Sequence, residues 1–180
     1  MSKTFFVSTS IPYVNAAPHI GHALEFVQAD VLARFYRQRG GDVFFLSGTD
    51  DNALKNAQAA EAAHKAVVEF VDEHAGSFKK LLAVLNVSND DFIRTSRDDR
   101  HIKGAQKLWA ACKKEDIYKK KYKGLYCLGC EEFKTDKDLV GGECPEHSGK
   151  KLETVEEENY FFKLSNYQKK LAKILTSGEI

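Results

Sequence analysis

Hydrophobic positions in the first fifty residues follow two different periods. Residues 4–10 (TFFVSTS) and 42–48 (DVFFLSG) are short runs rich in β-branched and aromatic side chains, which is typical of buried strands. Between them, apolar residues recur at helical spacing over 21–39 and a Gly-Gly pair follows, which predicts a helix that ends at the pair. The apolar positions of that helix are Leu24, Val27, Val31 and Phe35.

The alternation of strands and helices continues to about residue 115. An alanine-rich stretch over 51–63 predicts a second helix, and DFIRTS at 91–96 predicts a third strand. Residues 99–115 are helical in pattern, with Trp109 expected to pack inward and Cys112 expected to be buried. Another helix is marked by Val67, Val71, Phe78, Leu82 and Leu85. Strands joined by crossover helices predict a parallel sheet with right-handed connections, that is, a doubly wound, Rossmann-like α/β domain.

This pattern stops after residue 117. Residues 118–160 are rich in Lys, Gly, Cys and Glu and carry no long periodic segment, so we expect an insertion with a small fold of its own. Residues 159–164 have the composition of a strand, and Ser165 is expected as the N-cap of a short helix. The sequence therefore predicts a doubly wound domain over 1–117, this insertion, and a returning segment over 161–180.

Composition narrows the class of protein. The 180 residues are 43% hydrophobic and 29% charged, which is ordinary for a globular protein with a core. With 27 Lys and Arg against 26 Asp and Glu, no chain-wide attraction to nucleic acid or to a membrane is expected. The N-terminal residues do not have the pattern of a secretory or transit peptide, and no apolar run is long enough to span a bilayer.

Three of the four cysteines fall in a metal-binding pattern. Cys127-x2-Cys130 and Cys144-x2-His147 are separated by thirteen residues and form two knuckles that can bind one tetrahedral Zn²⁺. Four protein ligands close the coordination shell, so we predict one structural zinc per chain, without which an insertion poor in apolar residues would unfold. The alternative is a chance cluster in a loop. The pattern also indicates a reducing, cytoplasmic setting.

The first strand-to-helix turn holds a His-x-Gly-His tetrad. In a doubly wound sheet the ligand binds beyond the carboxyl ends of the strands, where His19, Gly21 and His22 lie. A helix N-terminus favours phosphate, glycine permits close approach to the backbone, and imidazoles can donate hydrogen bonds to phosphate oxygens. These residues predict a nucleoside triphosphate site. The spacing is also that of a metal-ligand pair, although no third ligand is close in sequence.

The segment PHIGH resembles the HIGH signature of class I aminoacyl-tRNA synthetases. Residues 5–40 and 44–56 are similar to the methionyl-tRNA synthetase family in particular, and the resemblance continues through 117–147 to 157–168. It implies activation of methionine with ATP and Mg²⁺ to methionyl-adenylate, and transfer to tRNA(Met). It also implies an incomplete Rossmann-like domain, because the KMSKS-type loop and the anticodon-binding domain would lie beyond Ile180.

The resemblance assigns roles to individual residues. It implies that His19 and His22 bind the ATP phosphates and stabilise charge in the reaction, and that Gly21 gives the adenine a flat surface. It further implies that Ile11 and Tyr13 line the methionine pocket. An apolar, aromatic-edged wall suits a thioether side chain.

Asp50, after the second strand, matches the family's acid that holds the methionine ammonium group. The sequence departs from the family just beyond it, where Asn52 and Ala53 stand in place of the usual His-Gly pair. Two structural alternatives stay open: Tyr13 as a loop aromatic packed on the core, and Asp50 as the N-cap of the next helix.

A lysine cluster precedes the metal pattern. The preferred interpretation of this cluster is a solvated face. The second interpretation is a phosphate-binding surface, because the resemblance places tRNA at this insertion. Its members are Lys113, Lys114, Lys119, Lys120, Lys121 and Lys123. The expected partners are therefore ATP, methionine and tRNA(Met), with no membrane. The alternative function is a non-catalytic, zinc-containing RNA-binding or regulatory relative of the synthetases.

Overall fold

The computed structural model describes residues 4–178, which form two compact units divided between Ala105 and Gln106. The first unit holds three parallel strands in the order β1-β2-β3. Its elements are β1 (Thr4–Ser8), α1 (Ile20–Gln38), β2 (Asp42–Thr49), α2 (Leu54–Ala62), α3 (Val67–Val84) and β3 (Asp91–Arg94). This arrangement confirms the predicted parallel α/β architecture.

The core of the first unit lies between the sheet and the helices α1 and α3. Phe45 on β2 is fully buried against alanines of α1, while Phe26 of α1 packs with Phe78 and Leu82 of α3. The strands of a parallel sheet all end at one edge, so the loops that follow β1 and β2 emerge side by side. The fold thus places residues 9–19 and 50–53 next to each other.

The inward face of α1 is not the large apolar stripe that marked the helix in the sequence. Ala23, Phe26, Ala29 and Ala33 are buried, because small side chains let the helix approach the sheet closely. The stripe is exposed on the other side of α1. Its members are Leu24, Val27, Val31 and Phe35. Helical spacing therefore predicted the helix, whereas packing selected the alanine face.

The second unit is built on an antiparallel sheet in the order β5-β4-β6. The sequence showed no long regular element in this region, yet β4 and β6 pair over ten positions. The helix α4 crosses the boundary between the two units, and α5 follows the sheet. The elements are α4 (Asp99–Ala111), β4 (Ile117–Cys127), β5 (Glu132–Lys134), β6 (Glu153–Phe162) and α5 (Gln168–Ser177).

Alternation along β4 separates aromatic from charged side chains. Tyr122 and Tyr126 pack edge-on against Phe133 of β5, and Tyr118 stacks on Phe161 of β6. The sequence predicted too few apolar residues in the insertion for a core. In the structure, packed aromatic side chains line one face of its sheet.

Lys119, Lys121 and Lys123 lie on the face of β4 opposite the tyrosines, and Glu158 and Glu156 of β6 are directly across from Lys121 and Lys123. Lys119 pairs with Glu158 at 3.2 Å and Lys123 lies 3.8 Å from Glu156. The lysine cluster is thus partly neutralised within its own sheet.

Three expectations for the second unit are wrong. Trp109 is 53% exposed and meets Tyr160 edge to face instead of packing inward. Cys112 is half-buried just after α4, where its thiol donates to the Leu108 carbonyl, because the helix ends before the cysteine can turn inward. Ser165 lies inside a short 3-10 helix, and Tyr167 occupies the N-cap position of α5.

The buried carboxylate of Asp116 connects two segments of the second unit. Asp116 accepts hydrogen bonds from Asn166 Nδ2 at 2.6 Å and from the Tyr167 hydroxyl at 2.5 Å, which joins the start of β4 to the segment after β6. Among the helices that the structure describes, none has the length and apolar character needed to cross a membrane.

Candidate functional site

The loop after β1 runs along the carboxyl end of β2. The Thr9 and Ser47 hydroxyls lie 2.9 Å apart, and the Asp50 amide donates to the Pro12 carbonyl at 2.9 Å. Tyr13 and Asp50 form an isolated parallel bridge. The loop therefore continues the pairing of β1 with β2 beyond the regular strands, and it brings two predicted site residues together.

The His-x-Gly-His tetrad forms a reciprocal cap on α1. His19 is the N-cap, and its Nδ1 accepts the Gly21 amide at 3.1 Å. His22 returns the bond, because its Nδ1 accepts the His19 amide at 3.1 Å. Two backbone donors that a helix end leaves unsatisfied are thus satisfied by imidazoles.

Gly21 is required by this cap. A Cβ at position 21 would lie 2.9 Å from His19 Cε1 and 3.0 Å from His19 Nδ1, closer than such contacts are normally found. A glycine lets the His19 ring fold back over the helix end. The same bare backbone allows a flat ligand to approach, so the structural and the predicted functional roles of Gly21 are compatible.

A cavity of about 600 Å³ opens at this helix end. It brings together five of the residues predicted for ATP and methionine: Ile11, Tyr13, His19, Gly21 and His22. The volume is within the range of small-molecule sites. Tyr13 is 36% exposed and lines this cavity, so it is not the core-packed loop aromatic of the alternative interpretation.

Asp50 is not one of the residues that line this cavity, but its backbone forms the bridge with Tyr13, which does line it. It is not a helix cap, because α2 begins at Leu54 with Ala53 in the N-cap position and no side-chain bond there. Asp50 Oδ1 instead accepts the Asn52 amide and the Thr95 hydroxyl, both at 3.2 Å. The carboxylate is therefore held at the carboxyl end of the sheet.

His22 is in an environment that disfavours positive charge. The rings of His19 and His22 stack with centroids 3.9 Å apart, and Phe78 of α3 meets the His22 ring edge to face. Burial and the neighbouring His19 lower the pKa of His22 below its usual value, although Glu25 acts in the opposite direction. Neutral imidazoles at this position can still donate hydrogen bonds.

The predicted metal ligands meet in the second unit. One ligand atom from each of Cys127, Cys130, Cys144 and His147 lies within 4.8 Å of the others. The Cys130 and Cys144 sulfurs are 3.5 Å apart, and His147 Nδ1 lies 3.3 Å from Cys130 and 3.8 Å from Cys127. A tetrahedral zinc with Zn–S bonds of about 2.3 Å has edges of about 3.8 Å. The cluster could hold one metal ion of this kind.

The surroundings of this cluster act on its thiols in opposite directions. Cys127 and Cys144 are buried, and burial raises the pKa of the Cys130 thiol to about 12, whereas backbone hydrogen bonds lower the pKa of Cys127. Lys134, itself largely buried, lies against Cys130 and pairs with Glu132. Its ammonium group offsets part of the negative charge of three thiolates.

The family model described as "tRNA synthetases class I (M)" matches residues 5–154. The chain belongs to this family. The matched residues include both knuckles of the metal cluster and the whole of the loop from β1 to α1.

Curated relatives of the family agree with this placement. The chain is 47% identical over 174 residues to a methionine–tRNA ligase from Thermotoga maritima, with 94% of this chain and 27% of the relative covered. It is 44% identical over 182 residues to the Streptomyces coelicolor ligase, of which it covers 33%. The chain thus spans about a third or less of the length of these relatives.

Solved structures of the family share the fold. The Mycobacterium tuberculosis methionyl-tRNA synthetase in complex with methionyl-adenylate matches with a TM-score of 0.86 and 40% identity, covering 97% of this chain and 35% of that one. A leucyl-tRNA synthetase from Agrobacterium radiobacter matches with a TM-score of 0.74 at 22% identity, which concerns the fold alone.

The sequence did not point to two acidic residues that hold the strand ends and loops around the cavity in place. Glu25 lines the cavity and accepts the Ser10 amide at 2.6 Å and the Ser10 hydroxyl at 2.8 Å, which ties the loop to α1. The sequence could have indicated Glu25, because it follows His22 by three residues and therefore lies on the same face of the helix.

The second missed residue is Asp51, whose side chain is fully buried. It accepts hydrogen bonds from the Thr49 and Ser96 hydroxyls at 2.8 and 2.9 Å and pairs with Arg94 at 3.0 Å. This network fixes the strand end that carries Asp50. Nothing in the sequence distinguishes the two neighbouring aspartates, because only the fold decides which one faces the protein interior.

Proposed function

We propose that this chain contributes the methionine- and ATP-binding part of a methionine–tRNA ligase. The observation that carries the proposal is the single cavity that joins the capped end of α1 to Ile11 and Tyr13, with Asp50 bridged to its wall. The cavity therefore offers donors for phosphate and an apolar wall for a thioether, and the Asp50 carboxylate that would meet an ammonium group belongs to the strand end bridged to Tyr13. Relatives at 40–47% identity carry the name of this activity.

The residues divide the work of methionine activation. Asp50 would hold the methionine ammonium group, and Ile11 and Tyr13 would contact its side chain. His19 and His22 would donate hydrogen bonds to the ATP phosphates, whose Mg²⁺ neutralises further charge. As the methionine carboxylate attacks the α-phosphorus, negative charge grows on the leaving pyrophosphate, and these donors stabilise it.

We propose that the metal is zinc and that its role is structural, with one ion per chain. Three thiolates and one imidazole are the donor set of structural zinc sites, and four protein ligands leave no position for a reactive water. When bound, the ion would cross-link the turn after β4 to the turn before β6. The ligands would be Cys127, Cys130, Cys144 and His147.

We further propose that three segments of the chain have different roles. Residues 1–117 would form the first half of the catalytic domain, 118–160 the insertion over the acceptor end of tRNA(Met), and 161–180 the return to the catalytic domain. The ion pairs between β4 and β6 weigh against the alternative of a free-standing RNA-binding module, because they use part of the positive charge that RNA would need.

The test is methionine-dependent exchange of pyrophosphate into ATP by the complete product of the gene. His22→Ala should lower the exchange rate about 100- to 1,000-fold, the usual effect of losing one transition-state donor. Asp50→Ala should act mainly through a raised KM for methionine.

The matched control is His64→Asn. His64 lies outside the cavity in a left-handed conformation that Asn tolerates, so this variant should exchange at the wild-type rate. Equal loss of activity in His64→Asn and His22→Ala would contradict the assignment of the tetrad.

A further inference from the structure

Each histidine of the tetrad commits one ring nitrogen to the backbone. Nδ1 of His19 accepts the Gly21 amide and Nδ1 of His22 accepts the His19 amide, both at 3.1 Å. A backbone N–H can only donate, so both Nδ1 atoms must be unprotonated. A neutral imidazole whose Nδ1 accepts a hydrogen bond carries its proton on Nε2.

The surroundings support the neutral state of both rings. The rings stack 3.9 Å apart at an angle of 23°, a separation at which two imidazolium ions would repel strongly. From α3 the edge of the Phe78 ring meets His22, and within α1 the carboxylate that acts on His22 is Glu25. The carboxylate of Glu25 already accepts two hydrogen bonds from Ser10.

We propose that the reciprocal cap locks His19 and His22 as neutral Nε2–H donors, so that they act on a bound triphosphate as hydrogen-bond donors and not as cations. The same pair of hydrogen bonds then caps the N-terminus of α1 and sets the proton positions on both imidazole rings. The ligand in this inference rests on the proposed function, whereas the proton positions are properties of the chain itself. His19 and His22 are thereby pre-oriented before any ligand binds.

Protonation of either Nδ1 would break the arrangement. An Nδ1–H would face a backbone N–H, two donors would oppose each other, and the first turn of α1 would lose its cap. Because burial and the neighbouring His19 lower the pKa of His22 from 6.5, the stability that its bond to the His19 amide contributes is complete above pH 6.5 and is lost as the pH falls through the lower value in the folded chain. Helix capping and donor geometry should fail together.

Nitrogen-15 NMR of the histidine-labelled chain tests the proton positions directly. At pH 7.5 we expect His19 and His22 each in one fixed Nε2–H state, with protected Gly21 and His19 amides. His64, which is exposed and lies outside the tetrad, serves as the internal control, and its two tautomers should exchange. Imidazolium signals, an Nδ1–H state, or averaging at either tetrad histidine would overturn the inference.

Two variants of His19 separate the cap from the donor. His19→Asn keeps an oxygen that can cap the helix, so the Gly21 amide should stay protected from solvent. The Asn side chain is too short to replace Nε2–H, so the rate of pyrophosphate exchange into ATP should fall about 10- to 100-fold. His19→Gln supplies a donor near the Nε2 position but caps poorly, so Gly21 should exchange with solvent about 10-fold faster. Unchanged pyrophosphate exchange in His19→Asn would contradict the donor role.

Failure of this inference and failure of the proposed function give different results. A chain with fixed Nε2–H tautomers whose complete gene product shows no methionine-dependent exchange would refute the proposed function alone. Methionine-dependent exchange in a protein whose tetrad histidines are averaged or charged would refute the inference alone.

Discussion

Gly129 lies so close to the imidazole of His147 that a Cβ at position 129 would overlap the ring atoms Cδ2, Cγ and Nε2. Gly129, one of the two residues between the cysteines of the first knuckle, therefore leaves the space that the histidine ring of the second knuckle occupies. Flexible side chains can move away from such an overlap, but a metal-bound imidazole cannot do so without leaving the ion.

We expect Gly129→Ala to weaken zinc binding about 10- to 100-fold, the usual effect of disturbing the residues that orient a ligand. Competition with a chromophoric chelator measures the affinity. Gly104→Ala is the control, because a Cβ at this helical position meets nothing within 4 Å. It should leave zinc affinity unchanged and stabilise the chain by about 0.5–1 kcal/mol. Equal zinc affinity in Gly129→Ala and wild type would show that the histidine is not a ligand.

Removing one zinc ligand should destabilise the second unit and leave the first unit folded. In Cys144→Ser we expect the stoichiometric zinc found by elemental analysis in the wild type to be lost, because serine is a poor zinc ligand. Amide protection should fall along β4 and β6 and persist in β1, β2 and α1. Full zinc occupancy in this variant, or equal loss of protection in both units, would refute a local structural role for the metal.

The candidate site was predictable where its geometry is local. Cys127 and Cys130 lie on one turn, as do His19 and His22, so spacing alone identifies each pair. Contacts between distant segments were not predictable. The bond from Ser10 to Glu25 depends on where α1 packs against the loop, which no spacing rule contains.

A buried carboxylate on α1 should make the first unit sensitive to acid. Asp30 accepts hydrogen bonds from the Ser88 amide and hydroxyl and from Arg34; burial raises its pKa, but these bonds outweigh that effect and lower it below 3.8. A lowered folded pKa gives stability that is complete above the unfolded value and lost as the pH falls through the folded value.

The measurement for Asp30 is the free energy of urea unfolding between pH 6 and pH 2.5. We expect Asp30→Asn to lower it by about 2 kcal/mol at pH 6, because hydrogen bonds to a charged acceptor are lost. The difference between variant and wild type should shrink toward the acid end. A difference that is constant across this range would show that Asp30 acts through packing and not through its charge.

The fold was predictable where the hydrophobic period was clear, and less so where packing chose between faces. Short β-rich runs predicted β1 and β2, and helical spacing predicted α1, but the spacing did not reveal that Ala29 and Ala33 lie on the inward face of that helix. In β4 the alternation joins tyrosines with lysines, and a period of aromatic and charged residues does not resemble a hydrophobic strand.

Gly21 offers a test of the cap that leaves both histidines in place. Gly21→Ala should displace the His19 ring, because its Cβ would lie 2.9 Å from Cε1. We expect a loss of about 1 kcal/mol in the free energy of unfolding, the typical effect of losing a helix cap, and faster exchange of the amide at position 21. Gly76→Ala is the control, since its Cβ meets nothing within 4 Å. Wild-type protection in Gly21→Ala would contradict the cap geometry.

The central claim is that the cavity beside His19, Tyr13 and Asp50 activates methionine. The most direct test is the amino-acid dependence of pyrophosphate exchange into ATP by the complete gene product, measured with methionine and with leucine. The account predicts exchange with methionine and at least 100-fold slower exchange with leucine, because the branched leucine side chain would not fit a pocket shaped for an unbranched thioether. Exchange that is independent of methionine, or equally fast with leucine, would contradict it.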